Sequence, residues 1–364
     1  MPDLFTPLSV GGVELRNRVM VSPMCQYSCG TDGLATEWHH VHLGSRAVGG
    51  AGLVMSEAAA VTPAGRISPH DLGVWTDEHA DALARTAAFV SDQGAVPGIQ
   101  LAHAGRKAAR ERPRDGRGPV RDERGWTPVA PTTAPYPAED TLRPERLDRA
   151  GVDRVVEAFR VAAARAAEAG FRVAEVHAAH GYLLHEFLSP VTNTREDDYG
   201  GDFEGRTRLV REVCGAVDEA FEGAVFLRLS ATDWLPDRAS WTVDDTARLA
   251  ARVAEAGTVD LVDVSAGGLH PDQQVPDARP HYQVPYAERV TEALAGENCA
   301  VGAVGAITTP EGADEVVSNG RADLAILGRE HLRDPYFTLH AARALEASDR
   351  VDPPVQYRRG FPEL

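Results

Sequence analysis

His177, His180 and Tyr182 lie within six residues of one another in this 364-residue chain. Two imidazoles three residues apart can aim at one point, and a phenol two residues on can release a proton. The chemistry this suggests is polarisation of a carbonyl oxygen with a proton donor beside it. A His-x-x-His pair can also hold a metal, with Glu175 and Glu186 as nearby acids. No further ligand is evident, and no metal is expected. The triplet follows the largely apolar run Val173–Val176, where a strand would end.

The elements that must position this triplet can be read from periodicity. Eight short apolar runs occur at 18–21, 53–55, 97–101, 173–177, 225–230, 261–265, 300–304 and 324–328. Helical periodicity fills the intervals, predicting helices at 37–49, 77–93, 151–169, 203–221, 243–256, 283–295, 310–319 and 334–347. Gly94, Gly170, Gly257 and Gly320 fall where left-handed C-caps are wanted, and Thr76, Asp202 and Thr242 where N-caps belong. Eight strand-then-helix units predict an α/β protein, a single (β/α)₈ barrel over 1–364. Leu8–Leu15, with Gly11 and Gly12 between apolar residues, predicts a short N-terminal hairpin that closes the barrel's floor. The stretch 105–150 after strand three breaks the rhythm and reads as a long active-site loop, with Trp126 packed inside it.

Such a barrel builds its site from the C-terminal ends of its strands. Those ends carry Ser22, Pro23, Met24, Cys25 and Tyr27, then Ala58, Gln100, the His–His–Tyr triplet, Arg228, Ser265, Gly305, Gly328 and Arg329. Gly305, Gly328 and Arg329 suit an anion after strands seven and eight, though glycines there can simply pack strand against helix. Arg228 faces the same side as Phe226 and Ser230 and needs an anionic partner, either a structural carboxylate or a cofactor that gains negative charge on reduction. No G-x-G-x-x-G or P-loop sequence occurs, which argues against a dedicated nicotinamide domain.

The net charge of −17 argues against nucleic acid or anionic membrane as a partner. Lys107 is the only lysine. An arginine-biased codon usage or a high-salt cytoplasm would each give that pattern. The lack of a targeting segment and of a long apolar run predicts a cytoplasmic protein, and four cysteines in a chain this long do not form a disulfide framework.

Together, Leu15-Arg-Asn-Arg18, Ser22-Pro-Met-Cys25, Gln100-Leu-Ala-His-Ala-Gly-Arg-Lys107, His177-Ala-Ala-His-Gly-Tyr182, Phe187-Leu-Ser-Pro190, Tyr199-Gly-Gly201 and Gly328-Arg329 resemble the old yellow enzyme family, FMN-dependent ene reductases and NADPH dehydrogenases, in its thermophilic-like bacterial branch. The similarity runs from Leu4 to Tyr357. It implies tightly bound FMN, with Ser22, Pro23, Met24, Cys25, Ala58, Gln100 and Arg228 around the ring and Gly305, Gly328 and Arg329 at the phosphate. It implies that Cys25 tunes the flavin, that His177 and His180, helped by Tyr27, bind the substrate carbonyl, and that Tyr182 gives the proton. NADPH or NADH would be the transient reductant and a small α,β-unsaturated carbonyl compound the substrate. A quinone, a nitro compound or oxygen as acceptor, or a flavin-binding protein without catalysis, are the other readings.

The tail at 350–364 resembles the branch's arginine finger, with Arg359, or Arg358 as the second choice, reaching the neighbouring subunit of a homodimer or homotetramer. The iron–sulfur cysteines of dienoyl-CoA reductase-like relatives are missing, and the acidic surface is unlike that of tRNA-modifying flavin barrels. The family's Gly-Gly-Ser-x-x-Asn-Arg appears here as Gly200-Gly-Asp-Phe-Glu-Gly-Arg206, and the 105–150 loop and Trp234–Trp241 also depart from relatives. The preferred enone therefore does not transfer.

Overall fold

A computed structural model describes residues 2–361. Eight parallel strands close into a barrel. They are β1 (Val19–Val21), β2 (Leu53–Ala60), β3 (Val96–Ala102), β4 (Val173–Ala178), β5 (Ala224–Ser230), β6 (Leu261–Ser265), β7 (Ala300–Val304) and β8 (Leu324–Leu327). The principal helices between them are α1 (Glu37–Val48), α2 (Asp77–Asp92), α3 (Arg149–Glu168), α4 (Phe203–Ala220), α5 (Val243–Glu255), α6 (Val284–Ala293), α7 (Pro310–Ser318) and α8 (Phe337–Ala344).

The strands are nearly continuous apolar runs because both of their faces are covered. Gly94, Gly170, Gly257 and Gly320 all take positive φ just past their helices. Asp202 and Thr242 accept hydrogen bonds from the backbone amides of Gly205 and Asp245, as caps should. Thr76 departs from expectation. It occupies the N-cap position, but its hydroxyl bonds the His79 ring instead of a backbone amide.

Alternation along each strand sorts the barrel interior into layers. Val173, Phe226 and Leu261 point into the lowest layer, against Val10, Val13 and Leu15 of the N-terminal hairpin. That hairpin pairs Leu8 with Leu15 and turns on Gly11 and Gly12, both left-handed. It plugs the floor with side chains almost wholly out of water. Two residues higher stand Glu175, Arg228 and Asp263, and two higher again His177, Ser230 and Ser265, so each strand rises from oil to charge to site.

The long loop holds more structure than its composition suggests. Short 3₁₀ turns at Gly105–Lys107 and Pro113–Asp115 and a two-residue parallel pair, Val129–Ala130 with Glu145–Arg146, brace it. Trp126 does not pack inside it. Its indole donates to the Ala64 carbonyl and stacks under Arg66, which anchors the loop on the segment after β2. The last helix is shorter than its periodicity suggests, and Arg329–Arg333 forms a separate turn ahead of it. No helix among the described residues is long and apolar enough to cross a membrane.

Candidate active site

β4 delivers His177 at its C-terminal end, and the chain then turns sharply through His180 and Gly181 before the short helix Leu183–Leu188. His180 has φ 59 and Gly181 φ 73, so two successive left-handed residues make the turn. A side chain at Gly181 would strike the Gly268 carbonyl, 2.4 Å from its Cβ position. The turn holds three rings together: the His177 centroid lies 5.2 Å from those of both His180 and Tyr182.

The turn is braced from three sides. Ser230 Oγ accepts from the His180 amide, and His180 Nε2 lies 2.8 Å from Ser265 Oγ. His185 Nδ1 accepts from the Gly181 amide, while its Nε2 sits 2.9 Å from Asp233. Asp233 also accepts from the Ser189 hydroxyl and the Trp241 amide. Finally, Lys107 Nζ donates to the carbonyls of His180 and Gly268, 2.8 Å each, and rests 5.1 Å from the Tyr182 ring centroid.

Burial, then the positive field of Arg228, holds the pKa of both His177 and His180 well below the ordinary imidazole range. They are neutral at physiological pH. Nδ1 of His177 accepts from the Ala179 amide, so its proton sits on Nε2 and can be donated. Burial, then Cys25, Tyr27 and Asp71, pushes the Tyr182 phenol up, so it keeps its proton. Asp71 is a buried carboxyl pushed up to about 8, and it lines a small cavity together with Ala58 and Tyr182.

A shift in register between Met55 and Ala58 marks a bulge in β2. Bulges re-aim side chains at sites. Glu57 meets His39 at 3.1 Å and accepts from the Gln26 amide, so it pins the segment carrying Cys25 and Tyr27. Burial pushes the Cys25 thiol up, which keeps it a thiol; all four cysteines are free. Ala58 pairs with Gln100 across β2 and β3.

Beneath the triplet, Arg228 Nε lies 3.2 Å from Asp263, and its Nη2 donates to Ser22 Oγ at 3.3 Å. The structural carboxylate that Arg228 needs is therefore Asp263, and the other end of its guanidinium turns to Ser22 at the end of β1. Gln100 donates to Glu175 at 2.7 Å. Burial pushes the carboxyls of Glu175 and Asp263 up, and a proton kept between them leaves one negative charge against one arginine.

On the opposite side of the barrel mouth, Met24, Gln283, Gly305, Gly328 and Arg329 line a hollow. No group of histidines, cysteines and acids among the described residues could hold a metal ion. Arg359 is exposed on the 3₁₀ turn Val355–Gly360, beyond tail residues 352–356 that lie against the C-terminal ends of α1 and α2. It is not brought to its own chain's triplet, and residues 362–364 of that tail fall outside the described residues.

Sequence reading gave Lys107 no role at the site and missed Asp71, His185 with Asp233, and Gln283. Lys107 alone carried a signal, as the single lysine of the chain.

The chain matches the NADH:flavin oxidoreductase / NADH oxidase family over residues 3–348. It is 46% identical over 359 residues to the NADPH dehydrogenase of Geobacillus thermodenitrificans (strain NG80-2), covering 98% of each chain. It is 44% identical over 360 residues to that of Bacillus subtilis (strain 168), covering 98% of this chain and 99% of that one. Among solved structures it is similar to morphinone reductase in complex with tetrahydroNAD, at 26% identity and a TM-score of 0.77, covering 97% and 93% of the two chains. It is also similar to the old yellow enzyme homologue from Zymomonas mobilis, at 25% identity and 0.76, covering 95% and 93%. A 2-naphthoyl-CoA reductase shares the fold at 23% identity and 0.84, where the chain spans 52% of that protein.

These matches bring FMN and NAD(P)H to the site, and the residues present fit a flavin. A Cβ at Gly328 would meet nothing nearer than Met24 Sδ and Ser22 Cβ at 3.8 Å, so backbone is open to an anion there, with Arg329 adjoining. Arg228 is buried, its Nε paired with Asp263 and its Nη2 turned to Ser22 Oγ at the end of β1. A buried arginine at that position suits a ring that gains negative charge on reduction.

Proposed function

The chain belongs to the NADH:flavin oxidoreductase / NADH oxidase family, and we propose that within it this protein reduces the C=C bond of α,β-unsaturated carbonyl compounds. FMN, when bound, would supply the hydride chemistry that couples NADPH oxidation to reduction of the alkene at its β-carbon. Ser22, Pro23, Met24, Cys25, Ala58, Gln100 and Arg228 would hold its ring, and Gly305, Gly328 and Arg329 its phosphate.

The observation that carries the reading is the clustering of His177, His180 and Tyr182 rings at 5.2 Å in one cleft. His177 and His180 hold the carbonyl oxygen, with Tyr27 beside them. Their neutral imidazoles donate without surrendering a proton, and they stabilise the negative charge that grows on that oxygen. In comparable oxyanion sites one such donor is worth about 3–4 kcal/mol. Tyr182 then gives its proton to the α-carbon. The Lys107 ammonium over its ring offsets the charge left behind, until solvent restores the proton.

The exposed tail supports a homodimer or homotetramer in which Arg359 completes the neighbour's pocket. A monomer with full activity would contradict that contact. The dependence on NADPH and the lack of a spanning helix among the described residues favour a cytoplasmic setting.

The test is the visible spectrum of the purified protein under anaerobic conditions. A yellow protein that bleaches with NADPH and recovers its colour with cyclohexenone meets the proposal. A colourless protein, or a bleached one that cyclohexenone leaves unchanged while quinone restores it, contradicts it.

A further inference from the structure

A chain of net charge −17 repels a polyanion, yet its reductant carries a pyrophosphate and, in NADPH, a third phosphate. The sign reverses locally at the site's rim. Between Gly105 and Gly125 eight cations stand against four acids. Three of these arginines are matched: Arg112 with Asp115, Arg121 with Asp140, and Arg124 with Glu111 and Asp122.

Arg110, Arg114 and Arg117 have no carboxylate partner among the described residues. They follow Lys107, which lies on the Tyr182 ring, at sequence intervals of three to four residues, and pass from half-buried Arg110 to exposed Arg114 and Arg117. Arg114 donates to the Tyr27 carbonyl at 3.1 Å, which fixes this stretch on the wall of the pocket. The Arg110 amide donates to the Ile67 carbonyl, and the Arg110 and Pro119 backbones bridge, so the arm is tied at its base. At its tip Gly116 and Arg117 are both left-handed, φ 101 and 60. A non-glycine residue held in that region is a constraint worth explaining, and such constraints cluster at ligand clamps.

We infer that Arg110, Arg114 and Arg117 form a phosphate subsite for the dinucleotide reductant, drawing NADPH to a protein that otherwise repels it and favouring it over NADH. This rests on the reading that the pocket takes a dihydronicotinamide. Guanidinium groups suit phosphate oxygens because their donors form a planar fork. Half-exposed or exposed charges act chiefly on encounter and are screened by salt.

The test replaces all three by glutamine, with Arg154→Gln on the outer face of α3 as control. Binding of 2′,5′-ADP to the FMN holoenzyme is measured by calorimetry at low and high NaCl. Flavin reduction is then followed with NADPH, NADH and 1-benzyl-1,4-dihydronicotinamide, which has no phosphate. The triple variant should bind 2′,5′-ADP about tenfold more weakly at low salt, lose about tenfold in KM for NADPH and less for NADH, and change least with the benzyl compound. High salt should close the gap between variant and wild type.

Equal 2′,5′-ADP affinity in variant and wild type would overturn the proposal. So would equal losses with all three reductants, which would make the arm a wall of the pocket. If no dihydronicotinamide bleaches the wild type, the reading beneath the proposal falls with it, a result distinct from loss of the subsite alone.

Discussion

The floor and the mouth of the barrel are built from the same eight strands by opposite rules. At the floor, Met20, Leu53, Met55, Phe226 and Ile326 close against the hairpin's Val10, Val13 and Leu15. Shape and volume are enough there, because every group is apolar. Four residues along β4 and two along β5, the same interior faces carry His177 and Arg228, held by hydrogen bonds, ion pairs and left-handed turns. Beneath the mouth Arg228, Asp263 and Glu175 are buried together, the arginine paired with Asp263 and the two carboxyls sharing a proton. Buried charges are costly unless paired and add little net stability. One end of the barrel therefore contributes stability, and the other fixes polar side chains in place for the site.

The contrast predicts that floor and mouth fail differently. Phe226→Ala should cost about 3–5 kcal/mol of stability through the cavity it leaves, and lower the melting temperature, while the folded fraction turns over at the wild-type rate. Reduced turnover without a change in melting temperature would break the division. At the mouth, His177→Ala should lower kcat/KM for an enone by about 10²–10³ through loss of one oxygen-binding donor. Stopped-flow should show the loss in flavin reoxidation; an undiminished reoxidation rate would remove His177 from the clamp.

A smaller effect comes from Asp71, whose carboxyl is pushed up to about 8 by burial from an ordinary 3.8. Between those values the folded chain binds more protons here than the unfolded one. Its contribution to stability therefore falls as pH rises through that window and levels off above about 8. Asp71→Asn removes that slope. The melting temperature of the variant relative to wild type should climb from pH 5 to pH 8; a constant difference would show that Asp71 is ionised throughout.

What could be read in the sequence follows the same division. Strand positions and the interior face of Arg228 were legible because alternation and helical period are local. The His–His–Tyr triplet was legible because it is contiguous. The brace of His185 on Gly181 was not, because its partner Asp233 lies 48 residues on, across a turn with no local signature. The bulge in β2 falls at Ser56-Glu57, and one acid within a strand does not by itself reveal a shift in register. Trp126 reads as part of its own loop, but the loop folds back onto Ala64. Lys107 could be singled out as the lone lysine, but its contact with the carbonyls of His180 and Gly268 depends on loops that meet only in three dimensions.

The central claim is that Tyr182 supplies the proton at a mouth built to hold a carbonyl oxygen, and Tyr182→Phe tests it most directly. The two half-reactions should be measured separately by anaerobic stopped-flow. Reduction of the flavin by NADPH should stay close to the wild-type rate, since no proton is needed from Tyr182 in that step. Reoxidation by cyclohexenone should slow by about 10²–10⁴, the range for loss of a positioned general acid. Equal slowing of both halves, or no slowing of reoxidation, would contradict the account.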